Sequence, residues 1–419
     1  MAGQAALTGQ GFLGLVSLIG LALLLSEDRR AVSWRIIAAG LGLQLALALL
    51  LLKVPAAKLM FLALDRAVGA LQAATRAGTG FAFGYVGGGP VPWTVSNPSS
   101  SFVLAFQALP LVLLMSALSA LLYHWRILPV VVRAASRLLE RSMGVGGAVG
   151  VSASATAFLG MIEAPLLIRP YLGSLSRGEL FLVMTTGMST IAGTVMVLYA
   201  TFLEGVIPDP IGHLLTASLI SVPAALMIGK IMVPDHSRTG AGKLADGHDY
   251  AGAMDAVVKG TMDGVRLLVG IVAMLVVLVA LVSLANSILG LLPPVAGTSL
   301  TLQRLLGWVM APVVWMMGIP AGEMITAGAL MGTKTILNEL LAYLDLAHLP
   351  PEALSPRSRL IMTYGMCGFA NLGSLGILIA GLSVMAPQRR SEIVALGGRS
   401  IISGTLSSCL TGTLVGLLL

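Results

Sequence analysis

The stretch Met184-Thr-Thr-Gly-Met188 recurs, with one substitution, as Met362-Thr-Tyr-Gly-Met366. Each copy lies in an apolar run that follows an acidic residue at a similar distance, Glu163 for the first copy and Glu339 for the second. A pentapeptide can recur by chance in a chain rich in methionine and glycine, but the matched distance to a glutamate is harder to obtain by chance. The pairing therefore predicts an internal repeat whose two units each carry one glutamate.

The composition places most of this chain in a lipid bilayer. Of its 419 residues, 57% are hydrophobic and 10% are charged, and the mean hydropathy is +0.94. Soluble domains have about 25% charged residues, and a chain of this length has no core large enough to hide so much apolar surface, so lipid must cover it. The net charge of +7 comes from basic residues in short loops, which indicates membrane topology rather than binding to nucleic acid.

Eight apolar runs are long enough to cross the hydrocarbon core, which requires about 20 helical residues. They cover residues 7–25, 34–52, 102–123, 180–203, 211–233, 264–290, 358–384 and 394–419. The basic loops after spans one, three and five and before span eight then fall on one side, and the acidic turn 204–209 and the Gly/Pro/Ser-rich stretch 77–101 fall on the other. Cytoplasmic loops are enriched in Lys and Arg, so both termini are expected on the periplasmic side of a bacterial inner membrane.

Three other segments are apolar but interrupted by charged residues, which is the pattern of an amphipathic helix lying along the membrane surface. They are residues 54–76, 125–141 and 250–263. Residues 234–249 precede the third of them and are predicted to form a polar loop.

Two stretches, residues 143–172 and 302–344, are too interrupted to form one clean membrane helix. Each is predicted to enter the membrane, turn and leave by the same face, which is tolerated only where the turn is buried in protein or lines a cavity. Three spans separate the two hairpins, so they enter from opposite faces, as in the inverted repeats of secondary transporters. The predicted fold is an all-α polytopic membrane protein with eight transmembrane helices and two opposed re-entrant hairpins. Its units are 1–142 (scaffold, spans one to three), 143–233 (first repeat), 234–300 (cytoplasmic loop, surface helix and span six) and 301–419 (second repeat).

A carboxylate inside the bilayer costs about 2.5–3.5 kcal/mol or more unless it is paired or hydrated. Glu163 and Glu339 are therefore predicted to face a wet cavity, either as hydrogen-bond acceptors for a polar substrate or as protonation sites. The alternative is structural pairing, of Glu163 with Arg169 or of Glu339 with Lys334. Glu323 is closer to a hairpin turn, and for it both interpretations stay open.

The seventh span contains Phe369-Ala-Asn-Leu-Gly-Ser374, and the glycines around this segment predict local unwinding of the helix. Thr190 and Gly193 form the matching break in the fourth span. Freed carbonyl groups and the Asn371 amide could bind substrate hydroxyls or an ion. Packing of helices through small polar residues is the alternative.

The sequence carries no motif of a membrane enzyme. His-Glu-x-x-His, an Asp-rich diphosphate motif and the Gly-x-Ser-x-Gly elbow are all missing, and the five histidines have no metal-ligand spacing. No cofactor is predicted. A membrane-embedded enzyme is the distant alternative, and a channel fits less well because broken inverted repeats suit alternating access.

Three motifs resemble those of the concentrative nucleoside transporter family, in the same order and spacing over residues 140–419. They are Glu163-Ala-Pro-Leu-Leu-Ile-Arg-Pro-Tyr171, Gly332-Thr-Lys-Thr-Ile-Leu-Asn-Glu339-Leu-Leu-Ala-Tyr343 and Cys367-Gly-Phe-Ala-Asn371-Leu-Gly-Ser374. The resemblance implies a homotrimer with a separate site in each protomer. It also implies import of nucleosides by alternating access, coupled to a sodium or proton gradient.

The resemblance further assigns roles to individual residues. It implies ribose contacts from the second hairpin and the seventh span, nucleobase contacts from the first hairpin and the fourth span, and ion coupling where the first hairpin meets the fourth span. The substrate contacts would be Glu163, Met161, Ile162, Val195, Glu339, Asn371, Ser374 and Phe369, and the ion-coupling residues would be Thr156, Leu159, Thr190, Ile191 and Glu163.

The chain departs from the family pattern at two places. The family has Gly-Gln-Thr-Glu in the first hairpin, whereas Met161 and Ile162 here replace the two polar residues, which allows a modified nucleoside or another ribosyl compound as the substrate. The family's sodium-site Asn and Ser match Thr156 and Thr190. Without an amide ligand the site slightly favours protons, with Glu163 as the carrier, over sodium held at these two threonines.

Overall fold

Helices make up almost all the regular structure of the computed structural model, which describes residues 2–92, 103–235, 239, 250–295 and 297–419. Among these residues the only β pairing is an isolated bridge between Val295 and Thr298. Seven helical stretches of this described part are long and apolar enough to cross a membrane. They are Leu7–Leu24, Trp34–Lys53, Leu104–His124, Arg177–Phe202, Pro210–Met232, Ala253–Leu289 and Pro387–Leu418.

The first six helices follow the predicted order. They are α1 (Ala2–Leu24), α2 (Trp34–Lys53), α3 (Pro55–Phe83), α4 (Leu104–Gln107), α5 (Leu111–His124) and α6 (Ile127–Met143). The helix predicted over 54–76 is present, but it continues to Phe83 and ends in a 3-10 turn at Gly84–Gly87. The helix predicted over 125–141 is confirmed as α6, which ends at Gly144 in the left-handed conformation (φ 59°) that glycine adopts without strain.

The separate surface helix predicted over 250–263 is wrong, because these residues are the first turns of a continuous helix, α13 (Ala253–Leu289). Its 37 residues span about 55 Å at 1.5 Å per residue. The charged residues do not end the helix because they pair along it, Lys259 with Asp255 at 2.8 Å and Arg266 with Asp263 at 2.9 Å. Of the predicted polar loop 234–249, only residues 234, 235 and 239 lie among the described residues.

Two of the predicted spans are each divided by a short extended segment. The fourth consists of α10 (Arg177–Ser189) and α11 (Gly193–Phe202), and the seventh consists of α17 (Pro356–Met366) and α18 (Leu372–Met385). Neither α17 nor α18 is long enough to cross a bilayer alone, which is why the seventh predicted span, 358–384, is not among the seven crossing helices. The predicted unwinding in both spans is confirmed.

The first interrupted stretch, called the first hairpin below after its prediction, contains α7 (Gly147–Thr156) followed by the short α8 (Glu163–Leu166) and α9 (Arg169–Leu172). The second contains two turns rather than one. Its helices are α14 (Leu302–Met316), α15 (Met324–Ile336) and α16 (Glu339–His348). Glu323 ends the first of these turns and accepts hydrogen bonds from the backbone and hydroxyl of Ser355 at 3.2 and 3.1 Å, so its role is structural.

The interior is built from α10, α11, α12 (Pro210–Met232), α17 and α19 (Arg390–Leu418), whereas α13 is largely exposed at the periphery. Buried hydroxyl groups connect these helices. Thr185 and Ser403 hydrogen-bond at 2.8 Å, and the Thr411 hydroxyl accepts from Gln44 at 3.0 Å and contacts Ser221 at 3.1 Å. Such interhelical hydrogen bonds are typical of helices packed inside a membrane.

Two of the segments predicted to share one side, the loop after span one and the segment before span eight, lie close together on one face of the molecule, and the segment before span four joins them. Arg177 pairs with Glu27 at 2.8 Å, and Arg399 pairs with the same carboxylate at 3.3 Å. The hydrogen bond from Arg177 lowers the pKa of the Glu27 carboxyl below its usual value. Arg389 donates to the Leu175 carbonyl at 2.6 Å, so the loop after span one and the segments before spans four and eight share this face.

Candidate substrate site

The two broken spans contact each other at their breaks. The backbone N–H of Phe369 donates to the carbonyl of Thr190 at 3.3 Å. Gly368 fits this contact because a Cβ atom there would lie 2.9 Å from the Met188 carbonyl oxygen and 3.1 Å from that of Ser189. The repeat predicted from sequence therefore brings its two irregular segments together in the interior.

The turn of the first hairpin packs against the break in the fourth span. Gly193 N–H donates to the Phe158 carbonyl at 3.0 Å. Met161 is buried against Gly187 of α10, and Ile162 contacts Gly381 of α18. The hairpin thus bridges the two broken spans, and the two residues that depart from the family pattern are packed between them.

Glu339 begins α16 and is 4% exposed. Its carboxylate is held from two sides, since Oε1 accepts a hydrogen bond from the Tyr199 hydroxyl at 2.7 Å and Oε2 accepts one from the Asn371 amide at 2.9 Å. Asn338 caps the helix by accepting from Leu341 N–H at 2.9 Å. A carboxylate at a helix N-terminus is favoured by the helix dipole, which partly offsets the cost of burying a charge at this position.

Asn371 uses both ends of its amide. Its Oδ1 atom caps α18 by accepting from Ser374 N–H at 2.7 Å, and its Nδ2 atom donates to Glu339. The cap fixes the amide orientation, because only one end can accept. Ser374 itself is 8% exposed and Phe369 is partly buried, so both lie at the edge of the cluster formed by Glu339 and Asn371.

Neither glutamate forms the structural ion pair that was the alternative explanation. The ion pairs in the described residues include no bond from Glu163 to Arg169 or from Glu339 to Lys334. Lys334 is fully buried, and its ammonium lies 3.5 Å from the Ser408 hydroxyl. The groups that donate hydrogen bonds to the Glu339 carboxylate, Tyr199 and Asn371, are neutral side chains, so the carboxylate remains able to accept polar groups of a ligand.

Glu163 lies in different surroundings from Glu339. Glu163 is exposed at the start of α8, and its carboxylate lies next to the backbone of Gly160. It is therefore accessible from the space next to the first hairpin. Both roles predicted for it, base contact and proton carrier, remain predictions.

The predicted ion-coupling residues lie on the two segments joined by the Gly193–Phe158 hydrogen bond. The Thr156 hydroxyl donates to the Ala153 carbonyl at 2.8 Å, and the Thr190 hydroxyl donates to the Thr186 carbonyl at 3.0 Å. Each hydroxyl oxygen keeps lone pairs, and uncharged oxygen atoms suit a hard cation. The described residues contain no group of three His, Cys, Asp or Glu side chains that could hold a metal.

Sequence reasoning missed Tyr199, the residue that contacts Glu339 from the first repeat. A signal was available, because Val195 precedes Tyr199 by one helical turn and residues i and i+4 share a helix face. Both are buried in α11. Tyr199 adds a hydroxyl donor to a face of α11 that Val195 otherwise makes apolar.

Three segments of the chain match known protein families. Residues 13–86 match the N-terminus and residues 213–416 the C-terminus of Na⁺ dependent nucleoside transporters, and residues 105–205 match a nucleoside recognition (Gate) domain. An uncharacterized transporter of Haemophilus influenzae is 35% identical, over 97% of this chain and 96% of its own. The nucleoside permease NupC of Helicobacter pylori is 32% identical, over 97% of this chain and 98% of its own.

The fold is also similar to solved structures. CNTnw in an inward-facing substrate-bound state superposes with a TM-score of 0.88 and 33% identity, covering 98% of this chain and 97% of that one. The similarity therefore extends over almost the whole chain.

Proposed function

Because this chain belongs to the Na⁺-dependent nucleoside transporter family, we propose that it imports nucleosides across the inner membrane, driven by a sodium or proton gradient. The family consists of transporters, so the chain is an integral membrane transporter and not an enzyme. The observation that carries the proposal is the Glu339 carboxylate, which is held by one donor from each repeat where the two broken spans meet.

Ribose recognition follows from the chemistry of that carboxylate. A ribosyl group offers two neighbouring hydroxyl donors, and a carboxylate accepts several hydrogen bonds. A buried site built to bond a hydroxyl rejects an analogue that lacks it, because its polar groups are left unpaired. Glu339 is the central ribose ligand in this proposal, with Asn371 and Ser374 beside it.

Nucleobase recognition is proposed to involve Glu163, Val195, Met161 and Ile162. The apolar side chains at 161 and 162 offer no hydrogen bonds to a base edge. This supports the second candidate substrate, a modified nucleoside or another ribosyl compound.

Restoring polar side chains at these positions tests base recognition. We expect the double variant Met161→Gln/Ile162→Thr to bind uridine about fivefold to tenfold more tightly, the effect of about one added hydrogen bond. Calorimetric titration of detergent-purified protein gives the affinities. Methyl riboside, which has no base, is the control and should bind both proteins equally. Unchanged uridine affinity in the variant would contradict a base contact here.

For ion coupling, two arrangements are proposed. Sodium would be held by the hydroxyls of Thr156 and Thr190 with carbonyl groups of Leu159 and Ile191, and there it supplies a positive charge between the hairpin and the fourth span. A proton would be carried by Glu163 instead. In both cases the ion binds where the first hairpin packs on the break.

Uptake of radiolabelled uridine into proteoliposomes with an imposed sodium or pH gradient separates these arrangements. With sodium coupling we expect Thr190→Val to abolish the sodium dependence. Thr186→Val is the matched control, because that hydroxyl bonds the Leu182 carbonyl one turn away from the break. With proton coupling we expect Glu163→Gln to abolish accumulation. Saturable uptake that ignores both gradients would remove active transport from the proposal.

The membrane arrangement completes the proposal. Hairpin α7–α9 and hairpin α15–α16 are proposed to enter from opposite faces, both termini to lie in the periplasm, and three protomers to form the trimer. The basic face formed around Arg177 and Arg389 supports a cytoplasmic position for the loops that it joins.

A further inference from the structure

Tyr199 and Glu339 join the two repeats through one hydrogen bond. Tyr199 lies on α11 of the first repeat and Glu339 begins α16 of the second, with 2.7 Å between the hydroxyl oxygen and Oε1. We propose that Tyr199 is a positioning residue that fixes the plane of the Glu339 carboxylate and thereby sets the selectivity of the site for ribose hydroxyls. This inference rests on the proposed function, in which Glu339 binds the ribose.

The number of hydrogen bonds that the Glu339 carboxylate can accept explains why its orientation matters. Its two oxygens together offer about four acceptor positions. Tyr199 takes one on Oε1 and Asn371 takes one on Oε2, so one position remains on each oxygen. Two acceptor positions side by side match two neighbouring hydroxyl donors of a ribose. The match requires that the carboxylate plane be fixed.

Without Tyr199 the plane would not be fixed. The terminal torsion of a glutamate is broad, so rotation of the carboxylate costs little by itself. Asn371 alone holds only Oε2, which leaves Oε1 able to swing. The Asn371 amide is already locked by its cap on α18, so the remaining freedom lies on the side that Tyr199 holds.

The surroundings of Tyr199 show that its hydroxyl serves this contact. The side chain is 2% exposed, and its ring packs against that of Tyr343 with centroids 5.1 Å apart. The Tyr343 hydroxyl donates instead to the Thr363 carbonyl at 2.8 Å. Two adjacent buried tyrosines thus have different partners, which provides a matched pair of variants.

The test compares Tyr199→Phe with Tyr343→Phe, each of which removes one buried hydroxyl. The measured quantity is the ratio of the Kd for 3′-deoxyuridine to that for uridine, from calorimetric titration of the purified full-length protein. We expect the ratio to fall about tenfold in Tyr199→Phe, as for one lost hydrogen bond to a charged group. In Tyr343→Phe the ratio should keep its wild-type value.

Two results would overturn the inference. One is a wild-type ratio in Tyr199→Phe, and the other is an equal fall in Tyr343→Phe, which would indicate a general packing effect. If Tyr199→Phe loses its thermal unfolding transition, Tyr199→Met replaces it, because methionine fills irregular space without a hydroxyl. Failure of the wild-type protein to bind both uridine and methyl riboside would instead reject the proposed function, so the two failures are distinguishable.

Discussion

Replacing Glu339 by glutamine is expected to abolish binding of ribose-bearing ligands. The substituted amide carries a donor group where one of the two oxygens now accepts. If its NH2 group faced Asn371, two donors would meet; if it faced Tyr199, that hydroxyl could turn to accept, but the amide would keep only one oxygen to accept from a ligand. The ligand would also lose hydrogen bonds to a charge, each worth about 1.5–3 kcal/mol. For two such bonds, the uridine Kd in a titration of purified protein should rise more than about a hundredfold.

Glu323→Gln is the matched control for this substitution. It makes the same chemical change at a partly buried glutamate, but that carboxylate binds Ser355 at the turn between α14 and α15. Uridine affinity should therefore be unchanged in Glu323→Gln. Undiminished affinity in Glu339→Gln would remove the ribose role of Glu339, and an equal loss in both variants would indicate an effect of folding.

The site residues that sequence predicts are those whose chemistry is costly in lipid. Glu339 and Asn371 stand out because polar groups in apolar helices need partners, and the structure pairs them directly. Tyr199 gives no such signal, because an aromatic residue in a membrane helix is ordinary. Its hydroxyl can be recognised as part of the site only from its hydrogen bond to Glu339 of the other repeat. Contacts between repeats are a tertiary property that one local motif does not carry.

The errors in the predicted fold have a common origin in charges and turns. Asp255, Lys259 and Asp263 suggested a surface helix separate from span six, yet ion pairs one turn apart let the helix continue. In the second repeat, residues 302–344 are predicted to make one turn, whereas the structure has a first turn before Glu323 and a second before Glu339. The break before Glu339 is marked by Asn338, which caps the next helix. The sequence therefore predicts where helices lie better than it predicts where one helix ends and the next begins.

The contact between the two breaks should be sensitive to a single methyl group at Gly368. In Gly368→Ala the new Cβ would lie 2.9 Å from the Met188 carbonyl oxygen and 3.0 Å from the Ser189 carbonyl carbon. These are backbone atoms of the other broken span, so no side chain can rotate to make room. We expect a loss of about 1–3 kcal/mol of stability, the usual effect of overpacking, measured as a lower Tm in detergent, together with weaker uridine binding.

Gly376→Ala separates this steric effect from the general effect of adding a methyl group. Gly376 lies on α18 of the same divided span, and a Cβ there would meet no atom within 4 Å. Because alanine favours the helix over glycine by up to about 1 kcal/mol, Gly376→Ala should leave the Tm unchanged or raise it, with normal uridine affinity.

Equal behaviour of the two variants would contradict a tight contact at Gly368. A lower Tm with full affinity in Gly368→Ala alone would mean that the contact supports the fold but does not shape the site. Loss of both in that variant, with Gly376→Ala intact, is the result that the geometry predicts, because the Phe369–Thr190 hydrogen bond next to the added methyl group holds the segments that carry Asn371 and the ion-coupling residues.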